Sequence, residues 1–228
     1  MNNVKSVVAI TAIASAVVGT QSAVGATMVD NLDPDHSSGY TILGENFPVE
    51  GYQVWEAVSF TTGAGSSWQI DTLTMALSDL SGESSEGLNP DGITFEIHAN
   101  NAGVPASGSI STLTKTTDIF LDANIDFTPS SALILSPGTT YWVVGRPSDP
   151  DALYPWYTTT TAADNGVSGW SIGNETHFSI DQGGSWEANP DIVQIKIGAT
   201  AVPESASLCM LSLGAMAMLR RTRASSKN

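Results

Sequence analysis

The sequence predicts an all-β domain over residues 27–201, a single antiparallel β-sandwich of jelly-roll-like or Ig-like type. Three observations predict it. Turn punctuation recurs at short intervals, in Thr62-Gly63-Ala64-Gly65, Asn89-Pro90-Asp91-Gly92, Asn101-Ala102-Gly103, Ser136-Pro137-Gly138 and Gln182-Gly183-Gly184. Between these turns lie short runs in which apolar and polar residues alternate, the period of a strand with one face inside. No stretch between Thr27 and Val202 carries a long helical periodicity. Many short strands at this spacing pack as two antiparallel layers.

Each element has its own signal. Val54, Val58 and Phe60 share a face. In Trp68 to Leu77 the apolar phase switches between Ile70 and Leu73, which predicts a bulge or a strand that changes sheet. Ser78 to Asn89 is polar and reads as an exposed loop. Ile93, Phe95 and Ile97 alternate with Thr94, Glu96 and His98, so His98 is expected on a solvent-facing side. Asp122, Asn124 and Asp126 form the outer face of a strand whose Ile125 and Phe127 point inward. Tyr141-Trp142-Val143-Val144 reads as a strand buried on both faces. Val193, Ile195 and Ile197 alternate with Gln194 and Lys196, and residues 198–202 read as a connection.

The two ends do not belong to the domain. Lys5 supplies a positive start, Ser6 to Gly19 an apolar run, and Val24-Gly25-Ala26 the small residues of a cleavage site after Ala26. Residues 1–26 therefore read as a signal peptide, with signal peptidase as a partner. Residues 202–228 read as a sorting tail. Val202-Pro203-Glu204-Ser205 is followed by an uncharged run, Ala206 to Leu219, and then by Arg220, Arg221 and Arg223. As a helix that run rises roughly 21 Å at ~1.5 Å per residue, short for a bilayer core of about 30 Å. The arginines act as a stop held in the cytoplasm, leaving the domain on the far side of the inner membrane.

This tail resembles the PEP-CTERM family of bacterial sorting signals, with Ser205 where a second proline usually stands. The resemblance implies transient inner-membrane anchoring, and processing near Pro203-Glu204 by an exosortase-type membrane protease. A second resemblance covers roughly residues 40–200. Asn101-Ala102-Gly103-Val104-Pro105, then Ser136-Pro137-Gly138-Thr139-Thr140-Tyr141-Trp142-Val143-Val144, then Trp156 are similar to the choice-of-anchor R domain. It implies an exported β-rich domain joined to a surface anchor, and no particular reaction. Ser179-Ile180-Asp181-Gln182-Gly183-Gly184-Ser185-Trp186 resembles the Asp-box hairpin. In it Asp181 accepts from turn N–H groups, Gly183 or Gly184 takes a positive φ, and Trp186 packs beneath.

Composition narrows the function. Five of the eight basic residues, Lys5, Arg220, Arg221, Arg223 and Lys227, lie in the two ends. The domain keeps Lys115, Arg146 and Lys196 against 22 carboxylates, a formal charge near −19. Such a surface repels nucleic acid and anionic lipid. The single cysteine, Cys209, sits in the tail, so the domain is held by packing without a disulfide.

Candidate chemistry is sparse. Asp122, Asn124 and Asp126 have the opening spacing of an EF-hand loop, but Phe127 replaces its glycine and Leu133 its closing glutamate. Asp33-Pro34-Asp35 and Asp149-Pro150-Asp151 are turns whose oxygens suit Ca²⁺. No other cofactor is expected. His36, His98 and His177 lack the spacing of a zinc site, and no catalytic residue is assigned. Trp156, Tyr157 and Trp170 lie in a Thr/Gly/Asn-rich stretch and serve either as core residues or as rings that stack on a sugar. The reading is an exported protein of the cell surface, outer membrane or extracellular matrix with a non-enzymatic structural or interaction role. The alternatives are a carbohydrate-binding module for extracellular polysaccharide and a secreted glycoside hydrolase, whose paired carboxylates are a spatial feature.

Overall fold

Strand dominates the computed structural model, which describes residues 25–34, 38–46, 51–81, 91–119, 123–159 and 166–202. Strand takes 63% of those residues and helix none, so the all-β expectation holds. No helix among them is long and apolar enough to cross a membrane. Most of the signal segment, together with Pro203, Glu204, Ser205, the hydrophobic run and the arginines, lies outside the described residues.

The strands are β1 (Ala26–Asp30), β2 (Gly39–Leu43), β3 (Trp55–Thr61), β4 (Ser67–Leu77), β5 (Ile93–Asn101), β6 (Val104–Lys115) and β7 (Ala123–Pro129). They continue with β8 (Leu133–Leu135), β9 (Thr140–Pro147), β10 (Leu153–Thr159), β11 (Ser171–Ser179), β12 (Glu187–Asn189), β13 (Ile192–Val193) and β14 (Ile195–Val202). They pair antiparallel in one large curled sheet in the order β1-β14-β4-β7-β6-β5-β9-β3-β11-β12, and β10 joins β2, β13 and the end of β4. Loop chemistry sets the tight turns. Ala102 (φ 53°) and Gly103 (φ 93°) both take positive φ between β5 and β6, the geometry that matches strand twist in a two-residue hairpin.

β4 carries the phase switch. Trp68, Gln69 and Ile70 pair with β8, whereas Leu73 to Leu77 pair with β7. On its other edge the register against β14 shifts between Gly198 and Ala199. The bulge moves the apolar side chains from one parity to the other and so keeps Ile70, Leu73, Met75 and Leu77 all buried. Residues 198–202, expected as a connection, are strand instead. They pair with β4 as far as Val202 opposite Ser67, because Ala199 is buried and the alternation begun at Ile195 carries on past the bulge.

The curl brings side chains of non-adjacent strands together. Phe95 on β5 meets Phe127 on β7 edge-on at 5.0 Å and Trp156 on β10 edge-on at 5.1 Å. Around them Ile42, Phe60, Leu73, Met75, Ile97, Val143, Tyr154 and Ile197 are fully buried. Gly145 is required here, since a Cβ would lie 2.5 Å from Ile42 Cδ1 and 2.7 Å from Phe95 Cε1. Burial of Tyr141 to Val144 on both faces also holds, with all four residues interior. Asn124 and Asp126 face away from the core while Ile125 and Phe127 face inward. Trp156→Ala removes the ring at the centre of this core, and an equilibrium urea titration should show a loss of about 3–5 kcal/mol. A loss below about 1 kcal/mol would contradict this packing.

Candidate functional site

The rings singled out by sequence are interior. Trp156 is 0% exposed, Trp170 5% and Tyr157 8%. Trp156 Nε1 donates to Gln194 O at 2.9 Å. Trp170 lies parallel to Phe60 at 6.2 Å and meets Trp68 edge-on at 5.4 Å. A ring stacks on a sugar only when a face is open to water, so the stacking expectation for these three is corrected in favour of core packing. They are not brought together as one patch.

The Asp-box-like turn forms as its residues imply. Asp181 Oδ1 accepts from Ser185 N and Ser179 Oγ, both at 2.8 Å, and its Oδ2 from Ser185 Oγ at 2.7 Å. Ser179 Oγ in turn accepts from Gly183 N at 2.8 Å. The Ser185 amide, with the two serine hydroxyls, holds the Asp181 carboxyl down to about 2. Gln182 joins Gly183 at positive φ, 61° and 83°. Gly183 lets the turn settle onto Trp55, whose Cζ3 would be 3.2 Å from an added Cβ.

That turn borders a second buried layer, on the outward face of β11, β3, β9 and β5. Ala57, Trp142 and Val144 are buried there, with Trp55 and Trp186 packed around them. Glu96 and His98, expected at the surface, are 8% and 4% exposed. Alternation puts them on the face opposite Phe95, but large side chains cover that face in place of water. Arg146 Nη2 donates to Glu96 Oε1 at 3.1 Å, and the guanidinium lies 5.8 Å over the Trp55 ring. His98 Nε2 is 3.3 Å from Glu96 Oε2, and its Nδ1 is 2.8 Å from the carbonyl oxygen of Ala106. Hydrogen bonding from His98, with Arg146 adding to it, holds the Glu96 carboxyl at about 2 against the opposing effect of burial. A second Glu-x-His pair lies across Trp142: His177 Nε2 is 3.1 Å from Glu175 Oε1, and its ring meets Trp142 edge-on at 4.8 Å. Trp142 Nε1 donates to Asn100 Oδ1. Apart from His177 Nδ1, which is buried without a hydrogen-bond partner, these groups pair with one another, and the layer acts as a polar-aromatic seal on a disulfide-free sheet.

Glu56 on the opposite face is a buried carboxyl with no cation beside it among the described residues. It points inward beside Val58, is 3% exposed, and its Oε2 has no hydrogen-bond partner. Burial alone pushes its carboxyl up to about 9. Sequence reading missed it, although it sits in phase with Val54, Val58 and Phe60. The pairs Glu96–Arg146 and Glu56–Gly145 link strands far apart in the chain, and no local pattern announces them.

The other candidates are dispersed. Asp149 Oδ1 accepts from Asp151 N within the turn, and Asp151 Oδ1 accepts from Asn46 Nδ2 of a distant loop. Asp33 N donates to Gln194 Oε1; Asp35, His36 and Asp122 lie outside the described residues. Among the described residues no three His, Cys, Asp or Glu side chains cluster as metal ligands do. Ala26 opens β1 opposite Ala199, and Val202 closes β14. A scan against protein-family models returns no match for this sequence, and comparison with curated proteins returns none either.

Two measurements test these arrangements. Glu56 has a raised folded pKa, so the stability it permits is fully present below about 4.5 and is lost as pH rises toward about 9. The slope approaches about 1.4 kcal/mol per pH unit, and denaturation of Glu56→Gln at pH 5 to 9 should lack it. Equal slopes in both proteins would refute a buried, unpaired carboxyl. In Asp181→Ala, amide exchange at Ser185 and Gly183 should accelerate while the β9 amides keep their protection. Unchanged exchange at both turn amides would count against these bonds.

Proposed function

We propose that this chain is an exported, non-enzymatic β-domain of the cell surface or extracellular matrix, delivered by a signal peptide and a PEP-CTERM-like tail and processed by an exosortase-type protease. The observation that carries this reading is the junction at Val202. The last residue of a hydrogen-bonded strand is followed at once by Pro203-Glu204-Ser205, the uncharged run and the arginines. Proline cannot donate to the ladder, so the strand has a chemical reason to end there. Residues 206–223 have the composition of a membrane segment with a basic stop. We read the curled sheet as a sandwich, because Phe95 on β5 meets Trp156 on β10 across its interior. The choice-of-anchor R resemblance supports the same role.

Burial of Trp156, Tyr157 and Trp170 removes the residues on which a carbohydrate-binding reading stood, and the exported structural role is preferred to it and to a glycosidase. Intact mass of the mature protein from its native envelope tests the proposal. The expected product begins after Ala26 and lacks the residues beyond the Pro203-Glu204 signature. Glu204→Ala should keep the tail and so gain mass over the processed parent, while deletion of residues 203–228 should leave the mature mass near the parent's and abolish membrane fractionation. A mature parent that still carries residues 203–228, with Glu204→Ala unchanged in mass and fractionation, would overturn the sorting role.

A further inference from the structure

We propose that, before processing, the domain stands on an anionic bilayer surface on one particular end, built from the turns at 61–67, 101–104, 136–139 and 168–170. The proposal rests on the reading of residues 206–219 as a membrane segment.

The strand pairing defines two ends. Val202 lies opposite Ser67, so the chain leaves the domain beside the turn that joins β3 to β4. That turn is tied to its neighbours. Thr62 N donates to Thr139 O, Gly138 N to Gly63 O, and Trp68 Nε1 to Gly63 O. Gly169 approaches Gly63, and Ala99 pairs with Tyr141, which pairs with Phe60, bringing the 101–104 turn to the same end.

Among the described residues, none of these four turns contains a charged side chain. Their residues are Gly, Ala, Ser, Thr, Asn, Pro, Val and Trp. The first carboxylate met along β4 from Ser67 is Asp71, and its Oδ2 accepts from Thr200. The opposite end is different. Asp91 and Asp118 flank Lys115 there, Ser148 Oγ donates to Asp91 O, and Asp151 accepts from Asn46. Asp181 and Glu187 sit on the hairpin that continues β11 past Trp55. Among the described residues, Asp91, Asp118, Asp151, Asp181 and Glu187 thus lie at the end away from Val202, and Asp71 is the nearest carboxylate to it along β4.

Reach and screening then fix the orientation. Val202 and Ala206 are separated by so few residues that they stand no more than about 14 Å apart even when fully extended. Once the uncharged run enters a bilayer, the end carrying Val202 is held against the headgroups. β4 has 11 residues, roughly 35 Å at ~3.3 Å each, so the acidic end stands several Debye lengths of ~8 Å away. A neutral end permits this apposition to anionic lipid; a carboxylate-rich end would oppose it.

The test uses the full chain with its tail, Cys209→Ser as background, and one new thiol at Ala64→Cys or Asp118→Cys. Each variant carries a thiol-linked fluorophore and is inserted in phosphatidylglycerol-containing vesicles doped with a headgroup nitroxide. Quenching should be several-fold stronger at position 64 than at 118, and absent at both after deletion of residues 203–228. Equal quenching, or stronger quenching at 118, overturns the orientation while the tail reading stands. Failure of the full chain to float with the vesicles overturns the tail reading and the orientation together, and flotation reports this separately from quenching.

Discussion

The sheet depends on β4 serving several partners from one strand. One edge pairs with β8 over Trp68 to Ile70 and with β7 over Leu73 to Leu77, the other pairs with β14 from Ser67 to Met75, and Leu77 also meets β10. A strand of constant parity cannot do this and keep its apolar residues inside, because one sheet face would turn outward after the change of partner. The bulge opposite Gly198–Ala199 resolves the conflict by inserting one residue and bending the strand. The bend in turn lets the sheet curl until Phe95 reaches Trp156 and Phe127. With no cysteine in the domain, that aromatic contact holds the curled sheet together without a disulfide.

A second consequence of curling is that the sheet has two kinds of face. The concave side is apolar apart from groups such as Glu56, whose carboxyl is stable there only while protonated. The outward side, over β3 and β9, is sealed by Trp55, Trp142, Arg146, Glu96 and His98. The two glutamates differ by burial environment alone. Glu96 has Arg146 and His98 and is held ionised; Glu56 has apolar neighbours and is held neutral. Their opposite linkage makes the stability of the domain respond to pH from both directions.

Charge follows topology as well. The four turns gathered where β14 ends carry no charge, while Asp91, Asp118, Asp151, Asp181 and Glu187 lie at the far end. A chain that is strongly acidic by composition therefore presents uncharged turns beside Val202. Composition alone implies repulsion from anionic lipid everywhere, and only the placement of the turns removes that implication for one end.

Much of the fold was legible in the sequence, because burial on one face of a strand leaves a period-two trace. Ile93 to Ile97, Ile125 and Phe127, Tyr141 to Val144 and the phase switch in β4 were all visible, as was the Asp-box-like turn. Tertiary structure decided what lies across from each strand. It buried His98 and Glu96 under Arg146 and Trp142, extended strand through residues 198–202, drew Trp156, Tyr157 and Trp170 inside, and left Glu56 unpaired. Alternation states which side chains share a face. It does not state whether water, a neighbouring side chain or the sheet's own curl covers that face, since this depends on residues distant in the chain.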